Sequence, residues 1–328
     1  MQQRSETALG LRPRAPFVRA ALEGLGWRRG RVPVLMYHRV HPDPHVLSVS
    51  PESFEAQVRF LKEYAHPVTL SEVVDARRRG LGLPPRSVAL TFDDGYQDNY
   101  VHAYPILRRY EVPATFFVTT GMVQARRHFW WDRVQQGMKP SDAVARAWPA
   151  IAPALAGRDR ASQIGIVTET LKQVPTHAAR DLIDAICHPL VPTDDVTMTW
   201  DQIRLMAADG MEIGSHTVTH PILSMQAPEE AAWEVRQSKL TLERELGLPI
   251  RHFAYPNGRS CDFSRDVIAH LEDAGYQSAC STMEGVVTRR SEMYALERVG
   301  IYHDPSLPRF IRALLRACVK QTPVSSLT

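Results

Sequence analysis

Ala89-Leu90-Thr91-Phe92-Asp93-Asp94-Gly95-Tyr96 is the stretch on which the fold turns. An apolar run enters two adjacent carboxylates and stops at a glycine. Read alone, it is a strand followed by an ordinary Asp-Gly turn. Neighbouring strand residues face opposite ways, so Asp93 and Asp94 can serve one site only if the chain turns at Gly95. Similar runs recur at 32–37, 87–92, 114–119, 211–215, 252–255 and 277–281. Helical patterns lie between several of them. Phe54, Val58 and Leu61 share a face, as do Trp200, Ile203, Met206 and Ala207 before Gly210. Ala231, Val235, Leu242 and Leu246 share another, with Gly247 and Pro249 as stop signals. Strand-like runs alternating with helices predict a parallel α/β sheet or barrel, whose catalytic residues sit at the C-terminal strand ends. Residues 122–195 break the rhythm; they are Ala-rich and helical in pattern, and read as an insertion on one loop.

The chain of 328 residues is 44% hydrophobic and 23% charged, which excludes a collagen-like, disordered or disulfide-scaffold protein. Its net charge of +3 hides an asymmetry. Residues 1–31 carry seven Arg against Glu6 and Glu23, and residues 306–320 add Arg309, Arg312, Arg316 and Lys320. With +5 and +4 at the two ends, 32–305 is left at −6, which argues against a nucleic-acid partner for the body. Pro13, Pro16 and Arg19 interrupt any apolar signal core, and no run reaches the ~20 residues of a membrane span. Cys187, Cys261, Cys280 and Cys318 are far apart and suit reduced, mostly buried thiols. A cytoplasmic protein is the expectation. Phe310, Ile311, Leu314, Leu315, Cys318 and Val319 share one face of a terminal helix. That helix either docks on the body or rests, with its arginines, on the inner membrane face.

The second chemical signal is Gly214-Ser215-His216-Thr217-Val218-Thr219-His220-Pro221. The β-branched Thr-Val-Thr and the proline disfavour a continuous helix. The reading places His216 at a strand end and His220 just before a helix opening at Pro221. Two polar loop histidines are the plainer alternative. Two imidazoles and a carboxylate form the three-ligand set of an open catalytic metal site, and the spare carboxylate can act as a general base.

With both motifs in view, the chain resembles the polysaccharide deacetylases, carbohydrate esterase family four, over roughly 32–121 and 196–302. The resemblance implies a distorted (β/α) barrel spanning 32–305 with the helical insertion, a basic extension at 1–31 and a basic helix and tail at 306–328. It implies metal-dependent hydrolysis of N-acetyl groups on an N-acetylglucosamine-type glycan or lipid-linked sugar. Carried over, Asp93 is the base, and Asp94, His216 and His220 bind the metal, zinc by resemblance. Phe253-Ala254-Tyr255-Pro256-Asn257-Gly258 resembles the family's Arg-x-Pro-Tyr motif, which makes the Asn257 N–H the oxyanion donor and leaves Ala254 where an arginine orients the base. Arg298 is a substitute for that arginine, or a structural residue at a strand edge. The general acid is His38, closing the run Val34-Leu35-Met36-Tyr37-His38, as in the poly-N-acetylglucosamine deacetylase branch; His303 is the second candidate. Phe129-Trp130-Trp131 reads as packing that seats the insertion or as a lid for sugar rings. Rival functions are hydrolysis of another amide or ester, and a non-catalytic carbohydrate-binding barrel.

Overall fold

The computed structural model describes residues 27, 30–43, 47–123, 125, 127–191 and 196–319. Seven strands close a barrel: β1 (Val34–Tyr37), β5 (Ser87–Phe92), β6 (Thr115–Val118), β7 (Glu212–Ser215), β8 (His252–Ala254), β9 (Ser278–Glu284) and β10 (Leu296–Gly300). All pairings are parallel, and β1 closes the ring by pairing both β10 and β5, Leu35 opposite Val299 and Leu90. A short β4 (His66–Pro67) adds to the start of β5, and β2 (Arg39–Val40) pairs β3 (Ser48–Val49) beside the barrel.

Alternation along β5 shows how the sequence builds this ring. Val88, Leu90 and Phe92 join the large apolar layer under the helices, whereas Ala89 belongs to a second cluster with Val34, Phe117, Ala254, Cys280 and Leu296. These inner residues are mostly small because Phe117 and the fully buried Arg298 fill the space. Gly214 is part of the same fit: a Cβ there would stand 2.4 Å from the Phe117 ring. Outside the ring, Ser50 caps the helix Pro51–Tyr64, and a Thr69/Glu72 capping box opens Leu70–Arg79.

All six strand-like runs that precede β10 fall on barrel strands within two residues of their expected starts, and the last, 277–281, runs on to Glu284. β10 itself was not among the expected strands. Its Glu297 and Arg298 break any apolar run, yet both are buried, with Glu297 accepting from the Ser291 hydroxyl at 2.9 Å. The described insertion after β6 is built of helices, Trp130–Gly137, Ser141–Ala147, Ala152–Leu155, Arg160–Leu171 and Thr176–Ile186, with a short 3-10 turn at Pro149–Ile151, and the helix Trp200–Ala208 then leads into β7. They carry their own apolar cluster around Val134, Val144, Val167 and Ile186.

The terminal helix Leu307–Val319 buries Phe310, Leu314, Ala317 and Cys318 against the body, Phe310 meeting Phe60 edge-on at 6.4 Å. Its apolar face is therefore occupied, and Arg309, Arg312 and Arg316 point to solvent. Most of 1–31, and all of 320–328, lie outside the described residues, so the basic extension and tail do too. Three residues of that extension are described, Trp27, Gly30 and Arg31: Trp27 is buried in the core, and the Arg31 guanidinium donates to the Cys318 carbonyl. Among the described residues no helix is long and apolar enough to cross a membrane.

Candidate active site

The candidate residues gather at the C-terminal ends of the strands. His38 follows β1, Asp93 and Asp94 follow β5, His216 follows β7, Asn257 lies just beyond β8 and His303 beyond β10. All six, with Tyr255 and Tyr302, line one cavity of about 920 Å³. The turn after β5 begins a residue earlier than expected. Asp94 itself adopts φ +75° and Gly95 φ +82°, which brings two adjacent carboxylates to the same cavity.

Asp93 is 1% exposed and held by a two-pronged ion pair, both Arg298 terminal nitrogens lying 2.7 Å from its oxygens. Arg298 also donates to the Thr91 hydroxyl and the Ser281 carbonyl. Burial by itself would raise the Asp93 pKa. The Arg298 charge and hydrogen bonds outweigh it, and the carboxyl stays below its usual range. An arginine 205 residues away thus stands beside the carboxylate that Ala254 cannot reach.

Asp94 Oδ1 lies 3.4 Å from His216 Nε2 and 3.3 Å from His220 Nε2. Tetrahedral ligands at bonds of about 2.1 Å stand about 3.4 Å apart, so both edges made by Asp94 have the spacing of a metal site, and all three ligand atoms lie within 4.8 Å of one another. Their chemistry, one carboxylate and two imidazoles, fits zinc or a similar divalent ion. His216 Nδ1 meets the Ala254 carbonyl at 2.7 Å, which fixes the ring and leaves Nε2 to the site. Burial pulls toward a protonated Asp94, but hydrogen bonds from the two histidines prevail and hold it ionised.

The loop between the histidines departs from the expected helix start. After His220 comes a single 3-10 turn, Leu223–Met225, and the next helix opens only at Pro228. His220 has φ +63° and its N–H is taken by the Thr217 hydroxyl at 2.9 Å, so a tight loop replaces a helix cap. Glu234, on the helix Pro228–Leu246, holds this loop by accepting from the Val218 and Thr219 N–H groups at 2.6 and 2.9 Å. Nothing in the sequence separates Glu234 from the other acidic residues of that helix.

His38 is half-buried, and its Nδ1 is buried with no partner among the described residues. Burial lowers its pKa from the usual 6.5, against the pull of Asp94 and Asp93. His303 is exposed, with φ +58°. Asn257 has φ +57°, and no described acceptor takes its backbone N–H. The insertion supplies the facing wall with Trp130, Trp131, Ile164, Gly165 and Thr168. Phe129 is packed inside while Trp130 and Trp131 line the cavity, so packing and wall-building are both present in that triplet. At the rim Glu169 of the insertion faces Arg259 at 3.7 Å. Behind the wall, Asp132 is buried and its pKa is pushed up to about 6, chiefly by burial.

The sequence model of the polysaccharide deacetylases matches residues 81–279, well over half of the chain. The chain belongs to the polysaccharide deacetylase family. As a member, it is an enzyme that hydrolyses N-acetyl amide bonds of sugars, and it shares the family's dependence on a metal. YxkH of Bacillus subtilis (strain 168) is 24% identical over 272 residues, covering 83% of this chain and 71% of that protein. The poly-beta-1,6-N-acetyl-D-glucosamine N-deacetylase of Staphylococcus aureus (strain MSSA476) is 44% identical over 77 residues, 23% of this chain and 26% of the relative. The Streptococcus pyogenes deacetylase PplD, solved in complex with acetate, superposes with a TM-score of 0.60 at 22% identity over 90% of this chain and all of its own. That likeness gives the barrel fold.

Proposed function

We propose that this polysaccharide deacetylase releases acetate from an N-acetylglucosamine-type glycan, with zinc held by Asp94, His216 and His220. The observation that carries the reading is the paired arrangement at one cavity: a carboxylate locked by Arg298 beside a separate carboxylate–imidazole–imidazole set. A binding module needs no ionised base next to a metal site, and the 44% identical stretch in a poly-N-acetylglucosamine deacetylase supports the amino-sugar substrate over other amides.

Zinc in that position supplies a Lewis acid and makes a water molecule acidic near neutral pH. Asp93, kept ionised by Arg298, takes a proton from the attacking water. The new C–O bond forms on the acetamide carbon, and the Asn257 N–H donates to the carbonyl oxygen as its charge grows. His38 hands a proton to the nitrogen as the C–N bond breaks, so the products are acetate and a free amine. The exposed His303 is the less suited acid, because it is open to water on the rim.

The test is acetate release from short N-acetylglucosamine oligomers, lipid-linked N-acetyl sugars, N-acetyl peptides and aryl esters. Release from the oligomers that disappears in His216→Ala and falls sharply in Asp93→Asn is the expected result. Preference for peptides or esters would overturn the substrate. For location, the reading is a cytosolic enzyme that meets the inner membrane face through Arg309, Arg312 and Arg316. Unchanged co-sedimentation with anionic vesicles after deletion of 306–328 would remove that contact.

A further inference from the structure

The two metal-site histidines are held in different ways. A metal-bound histidine ordinarily gives its second ring nitrogen to a carbonyl, carboxylate or water, which fixes the plane of the ring. His216 follows that rule through the Ala254 carbonyl. No protein group does this for His220: its Nδ1 is buried and has no partner among the described residues. Its ring is bounded by other rings, His216 at 4.8 Å, Phe129 at 6.1 Å and Trp131 at only 4.5 Å between centroids, tilted by 57°.

Trp131 is itself tightly fixed. Its Nε1–H donates to the Tyr96 hydroxyl at 2.7 Å, and its ring stacks on Phe129 at 4.5 Å with 14° between planes. The Tyr96 hydroxyl in turn donates to the Asp132 carboxylate, at 3.0 and 3.2 Å from its two oxygens. Every hydrogen in this chain is used once. Tyr96 is fully buried two residues after Asp94, with the Arg39 guanidinium over its ring at 4.4 Å. Asp132 and Trp131 are neighbours at the start of the insertion. The clasp therefore joins the loop that carries one metal-site carboxylate to the segment that braces one metal-site imidazole.

We propose that Trp131, anchored by Tyr96 and Asp132, is the positioning residue for His220, and that the insertion thereby sets the affinity of the metal site. Ring packing does for His220 what a hydrogen bond does for His216. This rests on His220 being a metal ligand, and the experiment separates the two claims.

Zn²⁺ and Co²⁺ affinities of the full chain are measured by competition with a chromophoric chelator, with the visible Co²⁺ spectrum as a readout of ligand geometry. Melting of the metal-free proteins checks the fold. Trp131→Ala is expected to weaken both metals by about 10–100-fold, the usual effect of losing an outer partner of a metal histidine, and to alter the Co²⁺ bands. Trp131→Phe keeps a ring but loses the Tyr96 bond, and Tyr96→Phe loosens the clasp with Trp131 in place. Both are expected between the wild type and Trp131→Ala. His220→Ala serves as the reference. If it leaves affinity intact, the metal-site reading fails. If it abolishes binding while Trp131→Ala, or Trp131→Phe should the alanine variant not fold, stays within twofold of the wild type with unchanged Co²⁺ bands, the positioning role is overturned.

Discussion

The cavity has two walls of opposite construction. The barrel wall is polar and over-determined: Asp93, Arg298, His216 and the 217–220 loop are each tied by hydrogen bonds at fixed distances. The insertion wall mixes Trp130, Trp131, Ile164 and Gly165 with Gln135, Thr168 and the rim pair Glu169 and Lys172, and none of these polar side chains has a described hydrogen bond to Asp93, Asp94 or the two metal-site histidines. Chemistry demands the first design, because a base or ligand displaced by an ångström loses its function. Fit to a sugar demands only the second. The barrel should therefore be intolerant of changes that preserve volume but alter charge, and the helix Arg160–Leu171 of the insertion tolerant of them but sensitive to volume, with the Trp131–Asp132 clasp siding with the barrel.

Asp93→Asn is the strongest test of the barrel side. Shape is retained, the base is lost, and Arg298 is left buried without its counter-charge. A fall in acetate release of about 10³-fold is expected, within the range of general-base losses. Breaking the buried pair should also lower unfolding stability by about 3–5 kcal/mol. Activity within tenfold of the wild type would show that Asp93 is not the base.

Arg298→Gln comes next, at about 100-fold. Its signature is the pH profile. In the native protein the guanidinium overcomes burial and keeps Asp93 ionised below its usual pKa. Without it, burial is opposed only by the smaller pull of His216 and His38 and raises the pKa, so the acid limb of kcat/KM should move to higher pH. The pair's contribution to stability, present at neutral pH, is lost as pH falls through the depressed Asp93 pKa, and the variant should lack that acid-dependent loss. An unmoved acid limb would separate Arg298 from the base. A smaller effect is expected at Glu234→Gln. An amide presents one oxygen where two N–H groups and a hydroxyl now converge on a carboxylate, so the loop loosens and metal affinity should fall about tenfold.

The same contrast explains what could be read from the sequence. The strands β1 and β5 to β9 were legible because short continuous apolar runs and their punctuation are local signals. The Asp93-Asp94-Gly95 and His216–His220 motifs were legible because their chemistry is contiguous. β10 was not, since Glu297 and Arg298 erase the apolar pattern, and their burial is compensated by Asp93, Thr91, Ser281 and Ser291, all far off or around a turn. Arg298 could be named as a substitute for the missing arginine but not placed. Trp131, Tyr96 and Glu234 carried no local signal for their roles, because each acts through a contact made only when the barrel closes. The helix expected at Pro221 failed for a related reason: the Thr217 hydroxyl, not the local propensity of the segment, decides how the loop ends.

On the insertion side the sharpest probe is Gly165. It lies within the helix Arg160–Leu171, lines the cavity, and has an ordinary helical φ, so no turn requires it. Nor does packing, since a Cβ there would meet nothing within 4 Å. A glycine inside a helix costs about 1 kcal/mol relative to alanine. Gly165→Ala should therefore stabilise the protein by about that amount, seen as a higher melting temperature, and leave kinetics within twofold. Gly165→Leu should instead project into the cavity and raise KM by about tenfold with kcat little changed, the mark of lost ground-state binding. The comparison of walls breaks if Gly165→Leu lowers kcat and leaves KM alone, because the helix Arg160–Leu171, which is no part of the Trp131 clasp, would then act on the reacting groups and not on the fit of the glycan.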